Sequence, residues 1–273
     1  MKIISVCNHK GGSGKTTCSI HLAASLSLAG HKTLAIDLDP QGFMSRMVGF
    51  SEPNEKQSAL TLFGHQADWE SQFVAELAEF DFIPSSNALT TALKKLTKPT
   101  DVLWLKEILT ANTKYEYIVL DTSSSVTVYT LNALVASHHV IIPVIPEYLP
   151  VIGSEQTYQT CTLVKAKLNP ELANPYFLLT QVDGRKNIHQ RYKQYLRDVY
   201  QHQVLDHFIR TNASLSEETL KGKTLFSTEP NSKGAIDFAN VTDELLGLIH
   251  SEEKPAPKIE HTLDGTWKRL VEL

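Results

Sequence analysis

The chain has 273 residues, with 26 Lys and Arg against 30 Asp and Glu, and 42% of its residues are hydrophobic. This composition is ordinary for a globular chain with a sizeable core, and it excludes a disordered or a broadly basic protein. The three cysteines lack the C-x-x-C spacing of a metal or redox site, so reduced thiols are expected. There is no basic and apolar leader, and every apolar run is shorter than the ~18 residues of a membrane span. We therefore expect a cytoplasmic protein.

A glycine-rich segment follows the first predicted strand at residues 2–7. A glycine-rich turn between a strand and a helix lets backbone N–H groups point at a polyphosphate, and the helix N-terminus adds a favourable dipole. In such a loop Lys15 contacts the β- and γ-phosphates, the Thr16 hydroxyl binds Mg²⁺ and Thr17 supports the α-phosphate. A second lysine, Lys10, lies outside the ordinary Walker A pattern. The predicted phosphate loop comprises Lys10, Gly11, Gly12, Ser13, Gly14, Lys15, Thr16 and Thr17.

Acidic residues end two further predicted strands. After a helix at residues 15–29, the strand at residues 33–36 continues into Asp37-Leu38-Asp39-Pro40-Gln41-Gly42, and a strand at residues 117–120 ends at Asp121. Because side chains alternate along a strand, we expect Asp37 and Asp39 to point the same way at the edge where open α/β sheets bind ligands. Asp121 occupies the position of a Walker B acid, which holds a Mg²⁺-bound water. The alternative for Asp39 and Asp121 is an aspartate that only terminates a strand.

Strands and helices continue to alternate along the chain. Strands are predicted near residues 80–84, 140–144 and 176–180, and helices near residues 88–96 and 102–111. Apolar strands without strict alternation favour a parallel sheet that is covered on both faces. The predicted fold class is therefore α/β, a doubly wound, mostly parallel sheet with helices on both faces. Residues 1–250 are expected to form one domain, followed by a Pro-containing linker and a short tail helix at residues 251–273.

Charge is unevenly distributed along the sequence. Residues 52–81 contain seven acids against one lysine, whereas residues 184–203 contain five Lys and Arg against one aspartate. In the basic segment a helical repeat predicts an apolar face of Ile188, Tyr192, Tyr195 or Leu196, and Val199. The opposite face would follow a DNA backbone without reading its sequence, although a solvated helix face is the alternative. The predicted DNA contacts are Lys186, Lys193 and Arg197, with Lys221, Lys223 and Lys233 as further candidates.

Four blocks of this sequence resemble the ParA/MinD superfamily of dimeric ATPases. They are the pattern K-G-G-x-G-K-T-T at residues 10–17, D-x-D-P-Q-G at residues 37–42, and the segments at residues 210–217 and 230–235. The last two blocks resemble ParA proteins more closely than MinD or the nitrogenase iron proteins. By this resemblance the chain is identified as a ParA/Soj-type member, which implies the P-loop NTPase fold with a deviant Walker A motif.

The resemblance also implies the cofactors and the roles of individual residues. ATP and Mg²⁺ would bind, and ATP binding would produce a homodimer in which Lys10 reaches the partner's nucleotide, as an arginine finger does elsewhere. Lys10, Lys15 and Asp39 would be catalytic, with Asp39 orienting the attacking water. Asp37 and Asp121 would lie near the metal. Hydrolysis would then require dimerisation.

Two positions depart from the pattern of the family. Asn212 aligns with the asparagine that reads adenine, but Arg210 replaces the usual proline beside it, and an asparagine that structures its loop is the alternative. Residues 122–125 read Thr-Ser-Ser-Ser where the family has prolines after the Walker B acid. We expect this segment to be looser, which affects the hydrolysis rate and the dimer contacts.

ParA relatives bind DNA nonspecifically as ATP-loaded dimers and position a chromosome, a plasmid or a protein complex. The resemblance therefore implies a protein that is nucleoid-associated when ATP is bound, with a ParB-like or cargo adaptor partner that stimulates hydrolysis. A MinD-like membrane-cycling ATPase is the alternative, because Trp267, Leu270 and Val271 share one face of the predicted tail helix. A small-molecule kinase or synthetase is a third possibility, which would not require Lys10. The sequence does not indicate the cargo.

Overall fold

The computed structural model describes residues 1–63, 67–92, 99–217 and 223–251. Its seven-stranded sheet has the order β3-β4-β2-β5-β1-β6-β7, and only the β3–β4 pair is antiparallel. The strands are β1 (Lys2–Val6), β2 (Thr33–Asp37), β3 (Ala75–Glu76), β4 (Asp81–Ile83), β5 (Tyr117–Asp121), β6 (His139–Val144) and β7 (Tyr176–Leu179). The doubly wound α/β fold that the sequence predicted is thereby confirmed.

Helices connect the strands and cover both faces of the sheet. The longer helices are α1 (Lys15–Leu28), α4 (Trp104–Thr110), α5 (Val128–Ala136), α6 (Tyr148–Lys167), α7 (Asn187–Tyr200) and α10 (Lys233–Ser251). The short helices are α2 (Phe43–Met47), α3 (Ala88–Ala92), α8 (Ser214–Glu217) and α9 (Leu225–Thr228). The predicted helix at residues 102–111 begins instead with a 3-10 turn at Pro99–Val102, and α4 follows it. The second half of the helix predicted at residues 88–96 lies outside the described residues.

The two faces of the sheet explain why its strands are apolar throughout. In β1, Ile4 and Val6 pack in the cluster that contains α1 and α10, whereas Ile3 packs in a second cluster with α4 and α5. Burying such a side chain contributes roughly 1.5–3 kcal/mol, so both helix layers hold the central strands in place. Because β1, β5 and β2 are parallel neighbours, their carboxyl ends meet at one edge of the sheet.

Helix α10 is the last element of the described residues. Helix α10 extends to Ser251 and packs on α1, and the division into a domain at residues 1–250 and a tail remains a prediction. The predicted linker and tail helix lie outside the described residues. Among the helices that the structure describes, none is long and apolar enough to cross a membrane.

Candidate nucleotide site at the carboxyl edge

The predicted phosphate loop joins the central strand β1 to helix α1. Gly12 and Gly14 have φ angles of 77° and 88°, a left-handed conformation that favours glycine, and α1 begins directly after Gly14. The residue after β7 fixes the loop, because Thr180 Oγ1 donates to the Ser13 carbonyl at 2.9 Å. Within the loop segment, Asn8 Oδ1 accepts from Lys10 N at 2.8 Å. These two contacts hold the backbone of the loop, and phosphate binding by its N–H groups remains a prediction.

The two lysines of the loop have different surroundings. Lys15 is buried, with 9% of its surface exposed, and its Nζ donates to the Lys10 carbonyl at 3.4 Å. The Lys10 side chain is exposed and runs past Gly153 of α6, where an added Cβ would lie 3.1 Å from Lys10 Cβ. Gly153 therefore provides the space in which the Lys10 stem crosses α6. Lys15 faces into its own loop, whereas Lys10 lies at the surface.

Oxygen donors suited to a divalent cation meet beside the loop. Thr16 Oγ1 donates to Asp121 Oδ2 at 2.9 Å, and Ser19 Oγ donates to Asp121 Oδ1 at 2.8 Å. Burial raises the pKa of Asp121, while the hydrogen bonds from Ser19 and Thr16 act in the opposite direction. A hydroxyl and a carboxylate are ligands that Mg²⁺ prefers, with waters and substrate phosphates completing its octahedron. The residues present therefore fit the predicted metal.

Asp37 is the neighbour of Asp121 across the β2–β5 pair. Its Oδ2 accepts from Ser45 N and Ser45 Oγ at 2.9 and 2.7 Å, and its Oδ1 accepts from Asp39 N at 3.0 Å. Burial, and then the Asp121 carboxylate, raise the pKa of Asp37. Asp37 therefore anchors the turn that follows β2, and direct contact with a metal remains a prediction.

Asp39 lies in this turn and is half-buried. Its Oδ1 accepts from Gln41 N at 2.9 Å, and its carbonyl accepts from Ser85 Oγ at 2.6 Å. Ser45 Oγ in turn accepts from Ser85 N at 2.8 Å. The Asp39 backbone is thus fixed by a serine that lies 46 residues further along the chain.

The serine-rich segment after Asp121 forms its own hydrogen bonds. Thr122 Oγ1 donates to the Val6 carbonyl at 2.9 Å, and Thr130 Oγ1 donates to the Ser125 carbonyl at 2.7 Å. Ser123 Oγ also donates to the Ser125 carbonyl, at 3.1 Å. Thr122 and the Ser125 carbonyl are therefore held by residues outside the segment, whereas Ser123 bonds within it. The looser segment that the sequence favoured remains a prediction.

The predicted base-reading residues lie near the start of α10. Asn212 Oδ1 accepts from Ser214 N at 3.0 Å, an arrangement that structures its own loop. Gly234 makes room for the Asn212 amide, because an added Cβ would lie 2.7 Å from Asn212 Nδ2. Arg210 forms an ion pair with Asp237, with Nη2 to Oδ1 at 2.6 Å and Nε to Oδ2 at 3.0 Å. Arg210 thus joins two chain segments, and adenine recognition by either Arg210 or Asn212 remains a prediction.

The basic face of α7 is largely paired within the molecule. Lys186 Nζ lies 3.1 Å from Glu147 Oε1, and Arg197 Nη2 lies 2.9 Å from Asp206 Oδ1. Lys193 Nζ lies 4.1 Å from the centroid of the Phe208 ring, and burial lowers its pKa. The other predicted DNA contacts, Lys223 and Lys233, are exposed, whereas Lys221 lies outside the described residues.

One detail of the predicted apolar face of α7 is wrong. Ile188 is 39% exposed, and His189 is buried in its place. The His189 ring bonds to Glu147 Oε1 and to Asp183 N, both at 3.1 Å, so both ring nitrogens have polar partners in the buried position. A histidine scores as polar in a helical repeat, and its partner Glu147 comes from a distant segment that the repeat does not reveal.

Several residues that support the site could not be predicted from the sequence. Ser19, Ser45, Ser85 and Thr180 hold the two aspartates, the Asp39 turn and the phosphate loop. Serine and threonine carry no charge and follow no spacing rule at these positions. Of these four residues, only Ser19 could be inferred from the sequence, because it lies one helical turn after Lys15.

Comparison with known proteins agrees with this geometry. Residues 1–174 match the AAA domain family. The chain is 32% identical over 247 residues to the sporulation initiation inhibitor protein Soj of Bacillus subtilis, covering 89% of this chain and 98% of Soj. It is 34% identical over 248 residues to the chromosome partitioning protein ParA of Myxococcus xanthus, covering 90% and 88% of the two chains.

A solved structure also resembles the whole fold. The cobyrinic acid a,c-diamide synthase of Mycobacterium smegmatis, with bound ADP and magnesium, has a TM-score of 0.78 and 26% identity and covers 95% of this chain and 100% of its own. The same fold thus carries ADP and magnesium in that protein. Together with the Soj and ParA relatives, the matched motifs show that this chain belongs to the ParA/Soj family of P-loop ATPases, as its sequence predicted.

Proposed function

We propose that this protein is an ATP- and Mg²⁺-dependent positioning ATPase that dimerises with ATP bound, binds DNA nonspecifically and is stimulated by a partner protein. The observation that carries the proposal is the contact between Thr16 Oγ1 and Asp121 Oδ2 at 2.9 Å, directly beside Lys15. This contact brings the phosphate loop beside Asp121 at the end of β5. An Mg²⁺ ion bound to the phosphates would need ligands from both Thr16 and Asp121. Family membership supports the same proposal.

The chemistry follows from position and charge. Phosphoryl transfer depends mainly on alignment and on the stabilisation of charge, so backbone N–H groups, Lys15 and Asp39 have separate tasks. The loop and Lys15 bind the phosphates, and Asp39 holds the attacking water. Bound Mg²⁺, held through Thr16 and Asp121, would neutralise charge on the β- and γ-phosphates. Ser85 fixes the Asp39 backbone, so the position of the water depends on this serine.

Dimerisation accounts for the second lysine. Lys15 is buried in its own loop, whereas the exposed Lys10 is available to a second copy of the chain. A cation brought across an interface neutralises charge that develops on the transferred phosphoryl group. Turnover would then depend on protein concentration and remain slow until a partner protein, such as a ParB-like or cargo adaptor protein, acts.

The DNA-binding part of the proposal rests on cations that are exposed. Lys186, Lys193 and Arg197 have partners within the molecule, so their contribution requires those contacts to open. Lys223 and Lys233 are exposed, and a dimer would present two copies of each. Several such contacts presented together bind DNA in a salt-dependent way. Such a dimer would be nucleoid-associated with ATP and released after hydrolysis.

Co-sedimentation of the Asp39→Ala protein tests this proposal. The protein is mixed with random-sequence duplex DNA, or separately with anionic liposomes, in ATP, in ADP or without nucleotide. ATP-dependent, salt-sensitive binding to DNA is expected, and a Lys223→Ala/Lys233→Ala variant should bind less, with Lys56→Ala as the control for an exposed lysine elsewhere. Binding only to liposomes would instead favour the MinD-like alternative, and binding to neither would favour a small-molecule substrate.

A further inference from the structure

Helix α6 contacts the segment that carries Lys10 through two residues one helical turn apart. The Thr157 side chain is completely buried, and its Oγ1 accepts from His9 N at 2.9 Å and donates to the Gly153 carbonyl at 2.9 Å. At Gly153 an added Cβ would lie 3.1 Å from Lys10 Cβ. The helix therefore meets both the backbone directly before Lys10 and the first atom of the Lys10 side chain.

Asn8 holds the same segment against the sheet. This buried side chain donates from Nδ2 to the Pro143 carbonyl in β6 at 2.6 Å, and its Oδ1 accepts from Lys10 N at 2.8 Å. The backbone N–H groups of His9 and Lys10 are thus bonded to Thr157 and Asn8. These two N–H groups fix the start of the loop within the protein rather than bind phosphate.

Helix α6 is itself anchored on the side that faces away from Lys10. Glu155 lies midway between Gly153 and Thr157 in the sequence, and therefore on the opposite side of the helix. The buried Glu155 Oε1 accepts from Tyr195 Oη at 2.9 Å and from Tyr200 Oη at 3.3 Å, both in α7. A site that is supported by a packed helix is held more precisely than a site on a loop alone. The position of α6 therefore determines where the Lys10 side chain begins.

We propose that Thr157 is a positioning residue for Lys10. Through the His9 backbone, helix α6 sets the direction in which the Lys10 side chain leaves the loop towards the nucleotide of a second copy. A lysine carries its charge on a flexible four-carbon stem, so a fixed starting direction limits where the ammonium group can reach. Holding such a group in place lowers the entropic part of the reaction barrier. The inference rests on the proposed function, because it explains how the proposed role of Lys10 depends on α6.

Amide hydrogen exchange of the nucleotide-free protein tests the contact itself. In Thr157→Val the His9 amide loses its acceptor and should exchange about ten-fold faster relative to the amides of β1, which report global opening. Thr157→Ser keeps the hydroxyl and should restore the protection. Thr162→Val is the matched control, because the exposed Thr162 hydroxyl bonds within α6, to the Tyr158 carbonyl at 3.0 Å. Unchanged exchange at His9 in Thr157→Val overturns the proposal.

Dimerisation and turnover test the consequence for Lys10. Thr157→Val should bind a non-hydrolysable ATP analogue normally at concentrations that keep the protein monomeric, because Lys15 and the loop glycines remain in place. Its dimer should form about ten-fold more weakly, as light scattering in the analogue measures, and kcat should fall at an unchanged KM for ATP. Thr157→Ser should restore both values. Dimerisation of normal strength, or an equal loss of nucleotide affinity in the monomer, contradicts a positioning role.

Gly153→Ala displaces Lys10 without removing a hydrogen bond, so it also decides the question if Thr157→Val does not fold. The Lys10 segment has to move away from the added Cβ, whereas alanine is a better helix former than glycine and should keep α6 stable. The dimer should weaken as in Thr157→Val, with urea unfolding as the check on stability. Gly247→Ala in α10 is the control, because an added Cβ there meets nothing within 4 Å. A folded Gly153→Ala protein that dimerises normally overturns the proposal.

Lys10→Ala separates this inference from the proposed function. If Lys10→Ala forms the ATP-dependent dimer normally, the proposed role of Lys10 is refuted, whereas hydrogen exchange still judges the contact between Thr157 and His9. If Lys10→Ala fails to dimerise while Thr157→Val and Gly153→Ala dimerise like the unaltered protein, the inference alone is refuted.

Discussion

Asp37 and Asp121 lie directly opposite each other on the adjacent parallel strands β2 and β5, and both carboxyl groups are completely buried. Two buried acids on directly opposed residues repel each other when both are ionised, and burial makes the charged form of each less favourable. Without nucleotide, the protein therefore carries a destabilising element at the centre of its site. A divalent cation bound at this site would relieve the repulsion, so we expect Mg²⁺ with ATP to stabilise the protein.

The raised pKa values of Asp37 and Asp121 predict how the free energy of unfolding changes with pH. A carboxyl whose pKa is higher in the folded than in the unfolded protein contributes stability below its unfolded value near 4, and this contribution is lost as the pH rises through the folded pKa. We expect the nucleotide-free protein to lose stability from about pH 5 upward, and Asp37→Asn to reduce this loss. Buried His21, whose pKa burial lowers to about 4, acts in the opposite direction as the pH falls. Urea titrations of both proteins between pH 5 and 8 measure the difference, and identical pH profiles would contradict the assignment.

Lys10→Ala should bind ATP normally but fail to form the ATP-dependent dimer. The loop backbone and Lys15 remain in place, so the phosphates keep their contacts, while the charge offered to a second copy is lost. Light scattering in ATP measures the dimer, and fluorescent-nucleotide titration measures binding. Lys15→Ala is the comparison, since it should lose ATP binding itself. Normal dimerisation of Lys10→Ala would refute the role of this lysine.

Asp39→Ala should bind ATP, persist as a dimer and hydrolyse ATP at least about 100-fold more slowly, because the attacking water is no longer oriented. Phosphate release after a single addition of ATP measures this rate. Asp68→Ala, at an exposed aspartate outside the site, serves as the control. Rapid phosphate release from Asp39→Ala would remove this residue from its proposed role.

Arg210→Met should destabilise the protein by about 1–3 kcal/mol, mainly because Asp237 is left buried without its partner. The Arg210 side chain is 42% exposed and that of Asp237 only 8%, so the charge on Asp237 dominates the cost. In the double variant Arg210→Met/Asp237→Asn part of this stability should return. Urea unfolding of the four proteins of this cycle measures the coupling, and additive effects would show that the pair contributes nothing.

Several features of the site could be predicted from the sequence because they depend on local patterns. The phosphate loop needs glycines, lysine and threonine in fixed order, and Asp39 and Asp121 follow apolar strands whose ends face the ligand edge. The helical repeat also predicted the basic face of α7. It did not reveal the intramolecular partners of that face, because Glu147, Asp206 and Phe208 come from other segments of the chain.

The α/β fold and the family could be predicted from the amino-acid sequence, because they depend on periodicity and on residue order over short distances. The side chains that support the site could be identified only from the folded structure. Asp37 meets Asp121 because β2 and β5 are neighbours in the sheet, and Ser85 reaches Asp39 across 46 residues of chain. Such contacts depend on packing between distant segments, and uncharged serines give no sign of it in a sequence.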